Sequence, residues 1–405
     1  MLKKSSRRVF GLVVAALIAS VAAAQPVPAA APTNGTLLGA VGCQICNQSL
    51  DQIDPAGGTE TAIASIGAVV GVQAMVSDPA SHLVYASAGY GGGKGGPPQA
   101  EMIRLDTQTG ILTATPNAPV LPLAMALDPA THALFGVSYY VNGVFAALRI
   151  DPSTWAPTLL ATLPSATVSL ALDPASHTLY TESFDYSVVP VTGRLFAINT
   201  QTGALSSGVI LNPAVNNLVY DTASGALFGE NDDSPGRFVH VNPTTGAESP
   251  VGSFTVTAGF ANAAAIDSGS HTVYVVETAI ASTGDRVSRI ATINDQTGAS
   301  ALSPQTAEPV WAVTFQPLPI TPQSIETDVK TALATSAINN AGVANALLAQ
   351  LDAAATARSG GQCTTAASIY TAFIDLLSAQ SAKHVAAATA GQFTAEAEFL
   401  IANCP

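Results

Sequence analysis

The sequence predicts an all-β fold, a six-bladed β-propeller with a ring-closing blade shared between N- and C-terminal strands, followed by a small all-α helical bundle. The phrase DPASHLVY begins at Asp78, and related phrases begin at Asp128, Asp173, Asp221 and Asp267, 45 to 50 residues apart. A second phrase, of the type DTQTG, lies between successive copies. Short strands that repeat every ~40–50 residues are typical of propeller blades. Beyond residue 318 the strand pattern gives way to Ala-rich segments with helical spacing.

One blade shows how the four strands, named a to d, are predicted. They fall at residues 72–76, 82–87, 101–105 and 111–115. Asp78 and Pro79 suit positions i and i+1 of a type I turn between strands a and b. Gly110 supplies the positive φ that the turn between strands c and d requires.

The two phrases give the number of blades. The c–d turns fall at Asp54, Asp106, Asp151, Asn199, Asn242 and Asn294, whereas the a–b turns number five. The missing strand a is predicted at residues 310–315, around Trp311, and it completes a blade whose strands b to d come from residues 36–66. Such a shared blade locks the ring, since no blade buries both of its faces alone. Five or seven blades remain alternatives if the N-terminal strands divide differently.

The chain is divided into four segments by composition. We expect a signal peptide at residues 1–24, a Pro/Ala linker at residues 25–35, the propeller at residues 36–318 and the helical module at residues 319–405. In the last segment Leu347, Leu351 and similar apolar residues recur at spacings of three and four, which predicts four helices.

The first 24 residues carry the features of an export signal. A basic start is followed by a short apolar run and by Ala22 and Ala24 in an A-x-A cleavage pattern. The stretch SRRVF at residues 6–10 resembles the twin-arginine export motif, and an ordinary Sec signal remains the alternative. We therefore expect an exported protein, periplasmic or extracellular, with no membrane insertion after signal cleavage.

The charge balance excludes one class of partner. The chain has 14 Lys and Arg against 27 Asp and Glu, a net charge of −13, and four of its basic residues lie in the predicted signal. An acidic protein repels phosphate backbones, so we expect no nucleic-acid binding. Anionic membrane surfaces are disfavoured for the same reason.

The chain has four cysteines, which an exported protein is expected to pair. Three pairings are possible, and the shared C-terminal segment favours Cys363 with Cys404. Cys43 and Cys46 then form a C-x-x-C pair, either a redox site or a small loop staple. No thioredoxin-like βαβ pattern surrounds them, which favours the staple.

Four histidines occupy one repeat position and invite a metal-binding interpretation. His82, His132, His177 and His271 each follow a DP-type phrase at the start of a predicted strand b. Equivalent positions in different blades are spread around a ring rather than gathered at one point. We therefore predict turn and strand-start residues instead of a metal site.

The repeat breaks in the loops between strands b and c, on the face of a propeller that commonly carries function. The aromatic and charged residues of these loops suggest a cleft for a polar neutral or cationic ligand, although ordinary solvated loops are the simpler interpretation. The candidate ligand-binding residues are Tyr90, Tyr139, Tyr140, Asp185, Tyr186, Asp232, Asp233 and Arg237.

The propeller segment resembles exported bacterial propellers of the YVTN/lactonase-like superfamily, through its repeat pattern rather than through a catalytic signature. The C-terminal stretches INNAGVANALLAQLDA, AFID and AQSAKH are similar to a FIMAH-type helical module of secreted bacterial proteins. The resemblance implies an extracytoplasmic accessory domain.

Three glutamates at the predicted ends of strands b offer an enzymatic alternative. If Glu182, Glu230 and Glu277 face the channel, they could hold calcium or another divalent cation through oxygen ligands. A metal-dependent lactonase of the gluconolactonase type would use such a ring to polarise a carbonyl and activate water. The simpler interpretation is three solvated carboxylates.

Taken together, these patterns favour a non-enzymatic, cofactor-free scaffold that binds an unknown protein or small-molecule ligand through its loop face. The alternative is a metal-dependent lactonase or related hydrolase that uses the three glutamates.

Overall fold

A computed structural model describes residues 35–42, 47–68, 71–90, 99–139, 144–165, 167–185, 192–231, 235–255, 260–280, 285–317 and 321–402. The predicted signal peptide, Cys43, Cys46 and Cys404 lie outside these residues. The export signal and both cysteine pairings therefore stay predictions. No helix in the ranges above is long and apolar enough to cross a membrane.

In these ranges, 24 strands form six antiparallel sheets of four strands each, which confirms the predicted six-bladed propeller. The first half of the chain supplies β1 (Gly35–Gly42), β2 (Asn47–Ile53), β3 (Glu60–Ala68), β4 (Gly71–Asp78), β5 (Leu83–Tyr90), β6 (Gln99–Asp106), β7 (Leu112–Pro116), β8 (Pro122–Asp128), β9 (Ala133–Tyr139), β10 (Phe145–Ile150) and β11 (Pro157–Thr162). Blade 2 is β4 to β7, and blade 3 is β8 to β11.

The second half continues the same pattern. It supplies β12 (Thr167–Asp173), β13 (Thr178–Asp185), β14 (Thr192–Asn199), β15 (Val209–Leu211), β16 (Val215–Asp221), β17 (Ala226–Asn231), β18 (Arg237–Val241), β19 (Glu248–Thr255), β20 (Phe260–Asp267), β21 (Thr272–Ile280), β22 (Arg286–Asn294), β23 (Ser300–Leu302) and β24 (Val310–Pro317). Blades 4, 5 and 6 are β12 to β15, β16 to β19 and β20 to β23.

Blade 1 closes the ring as the sequence predicts. Its sheet has the order β24-β1-β2-β3, so strand a comes from the far end of the propeller. Leu37 pairs with Phe315 and Ala40 with Ala312 in the antiparallel ladder. The Trp311 indole donates a hydrogen bond to the Gly42 carbonyl at 2.7 Å. The two ends of the propeller are thus joined by backbone pairing.

Each blade buries its faces against its neighbours. Six clusters of buried apolar side chains, one for each junction between blades, form the propeller core. Leu38 and Val72 contribute to the junction of blades 1 and 2, and Tyr274 and Phe315 to that of blades 6 and 1. The core is therefore shared between blades, which is why the ring has to close.

The glycine of the c–d turn has a role that the sequence analysis did not assign. Gly110 and Gly203 have φ of +70° and +71°, as predicted for these turns. A Cβ on Gly203 would also overlap the Leu160 carbonyl of the preceding blade, whereas the nearest neighbour at Gly110 is 3.8 Å away. The turn glycine thus lets a blade lie against the outer strand of the preceding blade.

Blade 3 replaces this glycine with Trp155, which also has a positive φ, of 61°. Its indole nitrogen donates to the Thr115 hydroxyl of blade 2 at 3.1 Å, and its ring meets Tyr85 edge-on with centroids 5.9 Å apart. The larger side chain thus fills the space between blades 2 and 3.

The segment after the propeller is helical, as predicted. It forms α1 (Pro322–Ala334), α2 (Ala341–Ser359), α3 (Cys363–Gln380) and α4 (Ala387–Ala402). Thr321 caps α1 in a capping box with Ser324, and Asn340 caps α2. The helices bury their own core, in which Leu347, Leu351 and Tyr370 are fully enclosed.

Two carboxyl groups in this helical module are partly buried. Burial raises the pKa of Glu396 on α4 to about 7, and the charge of Asp328 contributes. Burial also raises the pKa of Asp328 on α1 to about 6. A carboxyl whose pKa is higher in the folded state stabilises the fold at low pH, and this contribution is lost as the pH rises through the folded pKa.

The turn glycines predict unequal costs for one substitution. Gly110→Ala should cost about 1–2 kcal/mol, the cost of a side chain in the left-handed region. Gly203→Ala should cost about 1–3 kcal/mol more, because its Cβ also meets the Leu160 carbonyl. Urea unfolding of both variants measures the difference, and equal losses would contradict the steric role.

The helical module should lose stability as the pH rises from about 4.5 to about 7, the interval between the ordinary pKa of a glutamate and the raised pKa of Glu396. Hydrogen exchange of α4 amides, corrected for the intrinsic rate, measures this loss. Glu396→Gln should flatten the pH dependence, whereas Glu398→Gln on the exposed side of the same helix should not. An unchanged pH profile in Glu396→Gln would refute the assignment.

Candidate functional site

We call the two ends of the ring the loop face, where strands b end and strands c begin, and the turn face, which carries the a–b and c–d turns. The three predicted glutamates lie near the loop-face ends of β13, β17 and β21. All three are buried rather than solvated, with Glu182 fully so at 0% exposure. The interpretation of these residues as solvated carboxylates is therefore wrong.

Glu182 connects blade 4 to blade 5. Its carboxylate accepts the backbone N–H of Val215, the first residue of β16, at 2.9 and 3.1 Å. A Cβ on Gly193 would overlap this carboxylate, so the glycine provides the space in which it lies. The side chain points sideways into the next blade and satisfies a buried backbone donor.

Other polar side chains do the same work at the loop face. The Gln48 side-chain oxygen accepts the Val72 N–H at 3.2 Å, and the Ser288 hydroxyl accepts the Val310 N–H at 3.0 Å. In both cases the donor is at or near the first residue of the next strand a. These contacts fix the start of each strand against the preceding blade.

The structure does not gather the three glutamates. The Glu230 carboxylate accepts from the Asn217 amide at 3.4 Å within its own blade. Glu230 lies four residues after Ala226, but Glu277 lies five after the equivalent Thr272. Because side chains alternate along a strand, Glu277 points to the opposite face of its sheet. Glu230 and Glu277 thus both face the junction of blades 5 and 6, where Phe228 and Val275 pack together. The Glu182 carboxylate lies at the junction of blades 4 and 5 instead, on the Val215 N–H, so the three glutamates do not meet at one point.

The predicted ligand-binding residues are only partly within the described ranges. Tyr90, Tyr139 and Asp185 are the last residues of β5, β9 and β13, so their backbones reach the loop face. Arg237 is the first residue of β18, and its N–H donates to the Asn231 side chain at 3.0 Å. The other four lie outside the described residues: Tyr140, Tyr186, Asp232 and Asp233. Their role in binding stays a prediction.

The histidines are turn residues, as predicted. His82, His132, His177 and His271 all have left-handed backbones, with φ between 53° and 57°. His132 Nδ1 lies 2.8 Å from Asp78 Oδ2 of the preceding blade. The histidine therefore ends its own turn and also reaches the DP-type aspartate next to it.

The sequence did not predict one group of three potential metal ligands on the turn face. Asp221, His271 and Asp295 each place one potential ligand atom within 4.8 Å of the others. His271 Nδ1 is 2.9 Å from Asp221 Oδ2 and 3.5 Å from Asp295 Oδ1. In the part of the chain that the structure covers, this is the group of three with metal-ligand geometry.

No protein-family model and no curated protein sequence matches the chain. Solved structures do. TolB from Acinetobacter baumannii aligns with a TM-score of 0.52 at 10% identity, over 70% of this chain and 67% of that one. A TolB candidate from Agrobacterium tumefaciens aligns with a TM-score of 0.49 at 9% identity, over 66% of this chain and 91% of that one.

A 6-phosphogluconolactonase candidate from Bacteroides uniformis aligns with a TM-score of 0.45 at 12% identity, over 69% of this chain and 99% of that one. At 10% identity the alignment with TolB from Acinetobacter baumannii shows the propeller fold and nothing about activity. The finer resemblances, to the YVTN group and to a FIMAH-type module, stay predictions.

The contact of Glu182 with Val215 predicts how its variants behave. Glu182→Gln keeps an acceptor for the Val215 N–H and should change the free energy of unfolding by less than about 1 kcal/mol, since Gln48 already uses an amide in this role. Glu182→Ala leaves a buried donor without its acceptor and should cost about 1–3 kcal/mol. Urea denaturation distinguishes the two, and equal losses would show that the charge, not the hydrogen bond, matters.

Proposed function

We propose that this chain is a non-enzymatic binding protein that presents its loop face to a ligand or partner. The observation that carries the proposal is the placement of Glu182. Its carboxylate is fully buried and bound to the Val215 backbone, so it holds two blades together instead of serving in the channel. One of the three acids that the enzymatic alternative would use is thus occupied in joining blades 4 and 5.

The propeller sheets hold the ends of the loops in fixed positions. Side chains such as Glu182, Gln48 and Ser288 attach the start of one blade to the end of another at the loop face. The loops thus leave from fixed strand ends. Binding residues carried by loops on a rigid scaffold lose less conformational entropy when they engage a ligand.

The predicted binding residues define the ligand chemistry. Tyr90, Tyr139 and Asp185 end strands b, and the exposed Arg237 begins a strand c on the same face. Tyrosines offer large flat surfaces with a polar tip, which favours stacking on polar ligands or on protein side chains. We propose a polar neutral or cationic small molecule, or a protein segment, as the partner.

The proposal includes export. It is supported by the basic, apolar and A-x-A order of the first 24 residues and by the low content of charged residues, 10%, in an acidic chain. The periplasm and the cell exterior are both consistent with it.

Site-specific photocrosslinking in the producing cells tests the loop face. A photoreactive phenylalanine analogue at Tyr139 should capture a discrete partner, and the same analogue at the exposed Ile111 on the turn face should not. A small-molecule partner would instead appear as a bound mass in native mass spectrometry that is lost in Tyr90→Ala/Tyr139→Ala. Capture from Ile111 alone, or no adduct and no bound mass at all, would refute the proposal.

Lactone hydrolysis tests the enzymatic alternative. The purified chain with added calcium, zinc or manganese should leave aldonolactones unhydrolysed above the buffer rate. A metal-dependent turnover that disappears in Glu230→Gln would overturn the scaffold proposal.

A further inference from the structure

We propose that Asp221, His271 and Asp295 form a binding site for a divalent transition-metal ion of the zinc type, at the junction of blades 5 and 6 on the turn face. One nitrogen and two carboxylate oxygens are a ligand set that such ions accept. A tetrahedral ion with bonds of 2.0–2.1 Å holds its ligand atoms about 3.3 Å apart. The distances from His271 Nδ1, 2.9 Å and 3.5 Å, lie on either side of this value.

Asp295 places a buried carboxylate beside His271 and Asp221. Its side chain is fully buried, at 0% exposure, and neither carboxylate oxygen accepts a hydrogen bond. A buried carboxylate without donors is costly, and a bound cation removes that cost.

Asp221, in contrast, is a turn aspartate whose carboxylate has hydrogen-bond donors in its own turn. Its oxygens accept the N–H groups of Ala223 at 3.0 Å and Ser224 at 3.1 Å. These bonds fix the carboxylate so that Oδ2 faces His271 Nδ1 at 2.9 Å. The turn therefore positions one ligand before any ion arrives.

The other blades show that the c–d turn does not need a carboxylate at the position of Asp295. The equivalent residues are Pro55, Thr107, Pro152, Thr200 and Pro243. Thr107 donates its hydroxyl to the His82 carbonyl at 3.0 Å, a bond that an ionised aspartate cannot make. Asp295 thus departs from the repeat, and it does so in blade 6, where it lies next to the pair of His271 and Asp221.

A matched pair in the same molecule lacks the third ligand. His132 Nδ1 contacts Asp78 Oδ2 at 2.8 Å, in the same arrangement as His271 and Asp221. The residue of blade 3 that corresponds to Asp295 is Pro152. This pair is the internal control for whether histidine and aspartate alone bind metal.

Gln296 supplies the outer contact that a metal-bound histidine requires. Its side-chain amide lies 3.0 Å from His271 Nε2. Turning the amide by 180° presents its oxygen, which accepts the Nε2–H when Nδ1 binds the ion. The imidazole can therefore bind metal through Nδ1 without leaving its other nitrogen unpaired.

A cavity lies beside the site. It has a volume of about 330 Å³ and lies between the outer strand of blade 5 and the c–d turn of blade 6. Asp295, Gln296 and Gly298 line one side, and Phe228 and Gly252 line the other.

Metal titration of the full chain tests the proposal. Chelator-treated wild type, titrated with zinc by calorimetry and with cobalt by visible absorption, should bind one ion more than Asp295→Thr. Asp295→Asn should weaken this site by about 10-fold or more. His132→Gln, in the matched pair, should retain it. Equal stoichiometry and affinity in wild type and Asp295→Thr would overturn the proposal.

The threonine variant separates lost binding from lost folding. Threonine is native at this position in blades 2 and 4, so Asp295→Thr should melt at or above the temperature of metal-free wild type. A proton shared by Asp295 and Asp221 is the competing explanation of the buried pair. It predicts that the melting temperature of wild type depends on pH near 7 and does not change with zinc, and that result would also overturn the metal site.

Discussion

The antiparallel pairing of β24 with β1 is the constraint on which the propeller depends. It joins Leu37 to Phe315, residues far apart in the sequence, and turns a row of sheets into a ring. Each blade buries its apolar side chains only against its neighbours, so an open row would leave two apolar faces in water. Strand a of blade 1 is the last strand of the propeller in the sequence, and closure holds it against blade 2. The Ser77 N–H donates to the Thr314 hydroxyl, and the Ser77 hydroxyl donates to the Phe315 carbonyl.

The buried polar groups follow from this closed architecture. Backbone donors at the start of β4, β16 and β24 face another blade rather than their own sheet, and they need acceptors there. Glu182 and Gln48 supply them at the loop face. On the turn face, His132 reaches Asp78 of the preceding blade. In blade 5, where Gly225 stands at the histidine position, the Tyr220 hydroxyl bonds to Asp173 of blade 4 instead. Polar side chains at the loop face and at the turn face thus connect neighbouring blades. The apolar clusters connect the same blades between these two faces.

Much of this fold could be predicted from the sequence because the repeat fixes periods and turns. The blade number, the closing strand around Trp311 and the four helices all follow from spacing. The direction in which Glu182 points could not be predicted. The repeat gives the position of a residue along its strand, but not the residue that it contacts in the adjacent blade. The offset of Glu277 was readable, one residue later than Glu230 relative to the turn. Asp295 was overlooked because its phrase still matches the turn pattern, and only comparison with Thr107 and Thr200 shows that it differs.

The ladder between β24 and β1 begins with Gly35 opposite Pro317, so the polypeptide enters and leaves the ring at a single point. That point lies on the turn face, where strands a end and strands b begin. Any segment attached covalently before or after the ring is therefore tethered on the side away from the loops. The chain therefore enters and leaves at the turn face, and the loop face lies at the opposite end of the ring. Joining segments of different lengths at this point would change the reach of the propeller without obstructing its loops.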